Sequence, residues 1–398
     1  MHERLSEKMK YGIVTLYHGS YNFGGLLQAY ALPAALEKYL GISAEQMDYV
    51  FGPEKQPRTQ YKISVKGMIN TAGFLMLNRM KRNELNRRKA AFDEYIAYIP
   101  HSKGRYDSNC VSGALNEYTG FLCGGDQIWN DCLQFKWFSI EDSKVFTLRF
   151  VPDQQKKVSY APSMATVELT PEYDREFRKG VKRLDAVSVR EKTALPVLRE
   201  ITGKPVTVAV DPVLLLQESD WLGEIRYRPG KKYVLCYLLG DNMLQRKAAE
   251  RFARTVRLPI LTFPHILGNV VRKCDLFFGD IHDYTSGPRE FLGLIKNAEY
   301  VITDSFHACV FSMIFQTPFA VFERHKADEK GNMNSRIYDF LEEYHLEDQL
   351  VTVEALAGMQ EIPQVDFSYA HAHWEQRRAE SLQYLENALK ENENGAEP

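Results

Sequence analysis

The chain has 398 residues, a length that suits two domains. Its 44% hydrophobic and 26% charged residues are the mixture of a folded globular protein and exclude collagen-like, disordered and coiled-coil architectures. Fifty Lys+Arg against 52 Asp+Glu leave a net charge of -2, so no overall basic field exists for nucleic acid, and a polyanion would need a local patch.

The opening MHERLSEKMKYGIVTLY is mixed in charge and lacks the apolar core and cleavage site of a signal peptide. No 18-residue stretch is free of charged or strongly polar groups, so no membrane span is expected. The cysteines Cys110, Cys123, Cys132, Cys236, Cys274 and Cys309 form no C-x-x-C pair and read as reduced, mostly buried thiols of a cytoplasmic protein.

Short apolar runs alternate with helical patterns. Tyr11–Tyr17 reads as a strand, and after a glycine-bearing loop Leu26–Leu40 reads as a helix kinked at Pro33. Met47–Val50 is the next strand, an opening that favours a parallel sheet covered by helices. Further strands are expected at Gly120–Cys123, Lys157–Tyr160, Ala186–Val189, Val206–Val210, Tyr233–Leu238, Ile260–Phe263, Tyr300–Thr303 and Phe319–Phe322. Helical patterns fall at Pro171–Leu184, Leu244–Arg254, Pro288–Lys296, Ser305–Phe315, Arg336–Tyr344 and Trp374–Lys390. The pattern restarts near residue 190. It predicts two Rossmann-like halves, at 1–185 and 186–365, followed by a helix and a frayed tail at 366–398.

A helical insert at 58–98 departs from this rhythm. From Arg58 to Lys89 there are nine basic residues and one acid, Glu84, interleaved with Met68, Ile69, Phe74, Leu75, Met76 and Leu77. A solvated face explains the charges. A peripheral contact of 58–89 with an anionic membrane surface or a diphosphate-bearing lipid explains both charges and apolar residues.

Four clusters carry chemistry. The loop His18–Gly25 joins a strand to a helix, and Gly24 and Gly25 suit either backbone contact with an anion or a turn needing positive φ. Asp48 stands where a ribose-binding acid would, but G-x-G-x-x-G is absent, which excludes NAD; no P-loop or D-x-D pair occurs either. In Phe121–Asn130 an apolar strand runs into two glycines and then Asp126, Gln127, Trp129 and Asn130. Polar groups beside a tryptophan suit a sugar ring, and a core tryptophan is the plainer alternative. Arg190, in SVREK, suits a carboxylate or phosphate clamp, or an ion pair with Glu191 or another acid. Asp211-Pro212 reads as a simple turn. In ITDSFH, His307 lies in the first turn of an apolar helix, after Asp304 and Ser305, where anion binding and acid–base work are both open to it. There is no G-x-S-x-G elbow, so a serine triad is set aside.

Taken in order, GSYNFGGLLQAYAL, CGGDQIWN, VSYAPSMA, VSVREK, VDPVLLL, TDSFHACVFSMIFQTPFAVF and NSRIYDFLE resemble the polysaccharide pyruvyl transferases over most of the chain, from Tyr11 to about Glu343. The resemblance implies an α/β, GT-B-like fold with two Rossmann-like domains facing across a cleft and a C-terminal helix crossing back. It implies transfer of a pyruvyl group from phosphoenolpyruvate to a sugar of a cell-surface polysaccharide or lipid-linked precursor, with no metal or organic cofactor. It implies His307 and Arg190 as catalytic residues; the matching stretches themselves offer Asn22, Gly24, Gly25, Gln28, Asp126, Gln127, Trp129, Asn130, Ser163, Asp304, Ser305 and Arg336 as substrate-binding candidates. One departure stands out: some members have an arginine two residues before the histidine, where this chain has Ser305. Arg336, Arg324 and Lys326 are the candidates to replace it. A nucleotide-sugar glycosyltransferase and a non-catalytic glycan-binding relative remain as alternatives on the same fold.

Overall fold

Two five-stranded parallel sheets organise the chain, seen here in a computed structural model. It describes residues 10–17, 21–51, 76, 78–133, 139–227, 230–264, 266, 267, 270–324, 334–363 and 365–390. The first sheet contains β1 (Lys10–Val14), β2 (Ser43–Tyr49), β3 (His101–Tyr106), β4 (Gly120–Gly124) and β5 (Lys156–Tyr160), in the order β3-β2-β1-β4-β5. β6 (Val187–Val189) and β7 (Val206–Val208) pair in parallel, and a bridge from Ala186 to Val158 joins them to β5. The second region holds β8 (Val234–Tyr237), β9 (Ile260–Thr262), an antiparallel ribbon of β10 (Ile266–Leu267) and β11 (Val270–Val271), then β12 (Ile281–His282), β13 (Tyr300–Thr303) and β14 (Phe319–Val321). Its sheet order is β12-β9-β8-β13-β14.

β4 and β8 are buried at every residue, because helices cover both faces of each sheet, and such strands read as unbroken apolar runs. Helix starts follow local chemistry. Ser139 and Asp142 cap the helix Ile140–Phe146 reciprocally, Ser139 Oγ accepting from Asp142 N–H at 3.2 Å and Asp142 Oδ2 from Ser139 N–H at 2.7 Å. Pro171 and Pro288 each stand in the first turn of their helices, where a missing N–H costs nothing.

Cα packing divides the chain into two units. The first comprises Met1–Arg58, Ile96–Leu216 and Glu375–Pro398; the second comprises Thr59–Tyr95 and Gln217–Trp374. The sequence division at 185/186 differs from this because β6 and β7 remain attached to the first sheet. The insert also leaves the half that encodes it: its helix Arg82–Tyr98 buries Leu85, Arg88 and Phe92 and, up to Tyr95, belongs with the second unit. Residues 58–75 lie outside the described residues.

The last helix, Ser368–Leu389, begins in the second unit and ends in the first. Within the first, Arg378 Nε donates to Leu215 O at 2.7 Å, Val210 N–H donates to Ser381 Oγ at 3.1 Å, and Tyr384 Oη donates to Ser159 O at 2.9 Å. The α/β class, two Rossmann-like units and a returning C-terminal helix are those expected of a GT-B-like chain. All six cysteines are free, and no helix among the described residues is long and apolar enough to cross a membrane.

Candidate active site

In each sheet the strand order reverses direction beside a central strand: between β1 and β4 in the first unit, between β8 and β13 in the second. Ligands of open α/β sheets bind at the carboxyl ends of strands at such points. The sequence candidates divide between these two places.

In the first unit, the helix Phe23–Ala35 starts directly after the loop that follows β1. Asn22 caps it, Oδ1 accepting from Gly25 N–H at 3.4 Å. Gly24 and Gly25 are helical, so the turn with positive φ is not their reason. At Gly25 closeness is the reason: a Cβ would stand 3.3 Å from Asp126 Oδ2. Gln28, one turn on, donates from Nε2 to Thr15 Oγ1 at 3.1 Å and to Gly25 O at 2.9 Å. β4 then ends in a sharp bend, with Gly125 at φ 67° and Asp126 at φ 39°, both left-handed. Ser163 N–H donates to Asp126 O at 2.7 Å, and Ser163 Oγ donates to Glu191 Oε1.

Arg190 joins this group as a buried cation. Its Nη1 donates to Asp211 Oδ2 at 2.6 Å and its Nε to Glu191 Oε1 at 3.3 Å. Burial alone would lower its pKa, but Glu191, Asp211 and Asp126 outweigh it and hold the guanidinium above its ordinary value. The ion-pair alternative raised for Arg190 is therefore present, with two acids. Asp211 is more than a turn former: its Oδ1 caps Val213 N–H at 3.1 Å while Oδ2 holds Arg190. The sequence signal was there, an acid directly after a strand and before a proline, but nothing local names its distant partner.

Trp129 corrects an expectation. It is fully buried, donates from Nε1 to Phe146 O at 3.0 Å and meets Phe177 edge to face at 5.2 Å, so its ring is core and not a sugar platform. Asn130 is also fully buried. Its Nδ2 donates to Gln127 Oε1 at 2.6 Å and its Oδ1 accepts from Cys132 N–H at 2.9 Å, which makes the pair a turn brace.

The bend after β4 gives a prediction. A Cβ on Gly124 would stand 1.9 Å from Tyr160 O, its partner across the β4–β5 ladder. Gly124→Ala is expected to cost about 3 kcal/mol, because backbone must move. Gly125→Ala adds about 1–2 kcal/mol of left-handed strain and displaces only the end of Gln28, at 1.8 Å. Urea unfolding of the two variants checks the order.

In the second unit, β13 ends at Thr303, whose Oγ1 accepts from Ser305 N–H at 3.0 Å and donates to Tyr237 O at 2.6 Å. Asp304, with no exposed surface, accepts from Leu239 N–H at 2.6 Å and Gly240 N–H at 2.7 Å. Its carboxylate ties the loop after β8 to the loop after β13 and presents no face to a ligand, so it positions the site. Ser305, 5% exposed, occupies the N-cap of the helix Phe306–Ile314, yet its hydroxyl makes no capping bond. His307 lies in that first turn, 7% exposed and edge-on to Phe306 at 5.1 Å. The Arg336 guanidinium lies 6.0 Å from the same Phe306 ring.

Arg324 is brought to this point from beyond β14. Its Nη2 donates to Asp304 O at 2.7 Å, one residue before Ser305, and its N–H donates to Asn334 Oδ1 at 3.1 Å. Of the three candidates to replace the arginine missing at 305, Arg324 and Arg336 are therefore beside it; Lys326 lies outside the described residues. Arg246 and Arg272 carry no sequence motif and were not anticipated. Arg246 Nη2 donates to Gly240 O at 2.9 Å and Arg272 Nη2 to Leu238 O at 2.9 Å, and both pair with Asp275. They fix the shape of the β8 loop. Burial holds the Tyr237 phenol above its ordinary pKa, with Arg88 and Arg324 acting the other way. The carboxyl end of β8 is thus ringed by guanidinium groups.

A family model described as polysaccharide pyruvyl transferase matches residues 22–326. The chain belongs to the polysaccharide pyruvyl transferase family. The match takes in the first cluster from Asn22 and the second as far as Arg324, with Arg336 beyond it. No curated protein matches this pyruvyl transferase family member by sequence. Solved structures similar to it include the UDP-GlcNAc 2-epimerase of Neisseria meningitidis, at 13% identity and a TM-score of 0.49, covering 94% of this chain and 100% of that one. The UDP-GlcNAc 2-epimerase of Methanocaldococcus jannaschii stands at 12% and 0.47, with coverage of 94% and 100%. The wall teichoic acid polymerase TagF stands at 11% and 0.46, with 96% and 89%.

Proposed function

We propose that the chain moves the pyruvyl group of phosphoenolpyruvate onto a sugar and closes it as a cyclic ketal, on a cell-surface polysaccharide or its oligosaccharide or lipid-linked precursor. The observation that carries the donor assignment is the group at the end of β13: His307 in the first helical turn, the uncapped Ser305 hydroxyl, and Arg324 and Arg336 beside them.

A donor with both a carboxylate and a phosphate needs several cationic and N–H donors at one place, and a helix N-terminus flanked by guanidinium groups supplies them. In the reaction the enol methylene takes a proton and becomes a methyl group. One sugar hydroxyl bonds to the central carbon and gives up its proton, the bond from that carbon to the phosphate oxygen breaks, and phosphate leaves with the electron pair. A second hydroxyl then closes the ring and gives up its proton. His307 is the acid and base for these transfers. Arg324 and Arg336 balance the charge on the departing phosphate. Arg190 acts within the first unit by holding Glu191, Asp211 and, through Glu191, the Ser163 hydroxyl in place, beside Gly25, Gln28 and Asp126, which are assigned to the acceptor. In this proposal the protein works in the cytoplasm, and a lipid-linked acceptor is met by peripheral contact of 58–89 with the inner membrane face.

Thermal stabilisation tests the donor. Phosphoenolpyruvate at about 100 times its Kd is expected to add about 2.7 kcal/mol to the folded state, and Arg324→Met to remove most of that gain. Stabilisation by a UDP- or GDP-sugar, with no response to phosphoenolpyruvate, would turn the assignment to glycosyl transfer.

A further inference from the structure

The insert has one face committed to the second unit and one face turned away from it. On the committed face Leu85, Arg88, Phe92 and Tyr95 are buried. Arg88 Nη1 donates to Pro264 O at 2.9 Å, its guanidinium lies 4.4 Å from the Phe263 ring, and burial lowers its pKa to about 10. Asn78 accepts from Val271 N–H at 2.7 Å. The other face carries Met76 and Met80, 67% and 71% exposed, with Arg79, Arg82 and Arg87 also exposed. Met76, Arg79, Met80 and Arg87 recur at helical spacing opposite the buried set.

A neighbouring loop adds an aromatic side chain. Val271 and Leu276 pack with Leu85 of the insert, and the next residue after Leu276 is Phe277, 78% exposed. Isolated exposed apolar residues are ordinary, but Met76 and Met80 stand one turn apart, and Phe277 follows a residue that packs on the same insert. The charge on the insert's exposed side is mainly basic, with Glu84 and, on the neighbouring loop, Asp280 as acids. Among the described residues, Lys81 pairs with Glu84 and Lys89 with Asp93, whereas Arg79, Arg82 and Arg87 form no ion pair. The chain as a whole has a net charge of -2, so this excess is local.

We propose that this face of the second unit is a docking surface for an anionic lipid bilayer. Met76, Met80 and Phe277 enter the headgroup region, and Arg79, Arg82 and Arg87 meet lipid phosphates. The inference deepens the membrane contact proposed above by naming its side chains, and it does not depend on which donor the enzyme uses. Unpaired arginines beside exposed thioether and aromatic groups match a surface that is anionic outside and apolar just beneath.

The test is flotation of the full chain with phosphatidylcholine vesicles, with and without phosphatidylglycerol, in the absence of donor and acceptor. The expected result is binding to the anionic vesicles only. It should weaken by at least roughly thirtyfold in Arg79→Glu/Arg82→Glu and be lost in Met80→Ser/Phe277→Ser, while Arg175→Glu, in the first unit, binds as the parent does. Circular dichroism and melting confirm that the variants fold. No binding by the parent chain, equal binding to neutral vesicles, or unchanged binding by folded variants would each overturn the proposal. Since no substrate is present, none of these outcomes bears on pyruvyl transfer. Conversely, inactivity toward phosphoenolpyruvate would leave the flotation result standing.

Discussion

Arg190→Met is expected to destabilise the first unit by about 3–5 kcal/mol, the range for removing one partner of a buried ionic group. Methionine fills most of the same volume, so the loss is electrostatic and not a cavity. Asp211 and Glu191 are 1% and 3% exposed, and both lose their ion pair with the guanidinium when it is removed. A melting-temperature fall of roughly 10 °C should follow. Arg175→Met, at a side chain 65% exposed, should change stability by less than about 0.5 kcal/mol. Arg190→Lys should recover only part of the loss, since an ammonium cannot serve Asp211 and Glu191 from one plane. If Arg190→Met melts with the parent chain, the buried pair is not what holds this loop.

His307→Gln should lower ketal formation by about 10²–10⁴-fold, the usual contribution of one positioned acid or base. Its stability cost should stay near 1 kcal/mol, because glutamine fits the same first turn and keeps a hydrogen-bonding end. Donor affinity should change little, so the loss falls on kcat rather than on KM. Arg324→Met should lower kcat and raise KM together, because Arg324 both binds the donor and balances the charge on the departing phosphate. A well-folded His307→Gln protein with full turnover would remove His307 from the chemistry and leave it as a helix-start side chain.

Strand positions were legible because buried parallel strands are local apolar runs: eight of the ten expected strand segments overlap strands of the two five-stranded sheets, and the other two overlap the β6–β7 pair. β3 was not seen. Its sequence HSKGRY is polar, since it is an edge strand burying only Ser102 and Tyr106 fully. Leu195–Thr202, Glu218–Glu224 and Val353–Gly358 are helices too short to show a full apolar period. The site was legible where chemistry sits at the end of a strand, as with Asp126, Arg190 and His307. It was not legible where the partner comes from far along the chain. Nothing near Asp211 announces Arg190, nothing near Arg324 announces the Asp304 carbonyl, and the basic run of the insert gives no sign that Arg88 is the one buried among its described members. Trp129 shows the reverse case: a residue whose neighbours suggest a sugar and whose depth forbids one.

The central claim is tested most directly by incubating the protein with phosphoenolpyruvate and a set of saccharide acceptors while following both products. The account predicts phosphate release that depends on the acceptor, matched one to one by a new ketal methyl signal on the sugar, with both lost in His307→Gln. Transfer of a glycosyl group from a nucleotide sugar by the same preparation, with phosphoenolpyruvate left intact under every acceptor, would contradict it.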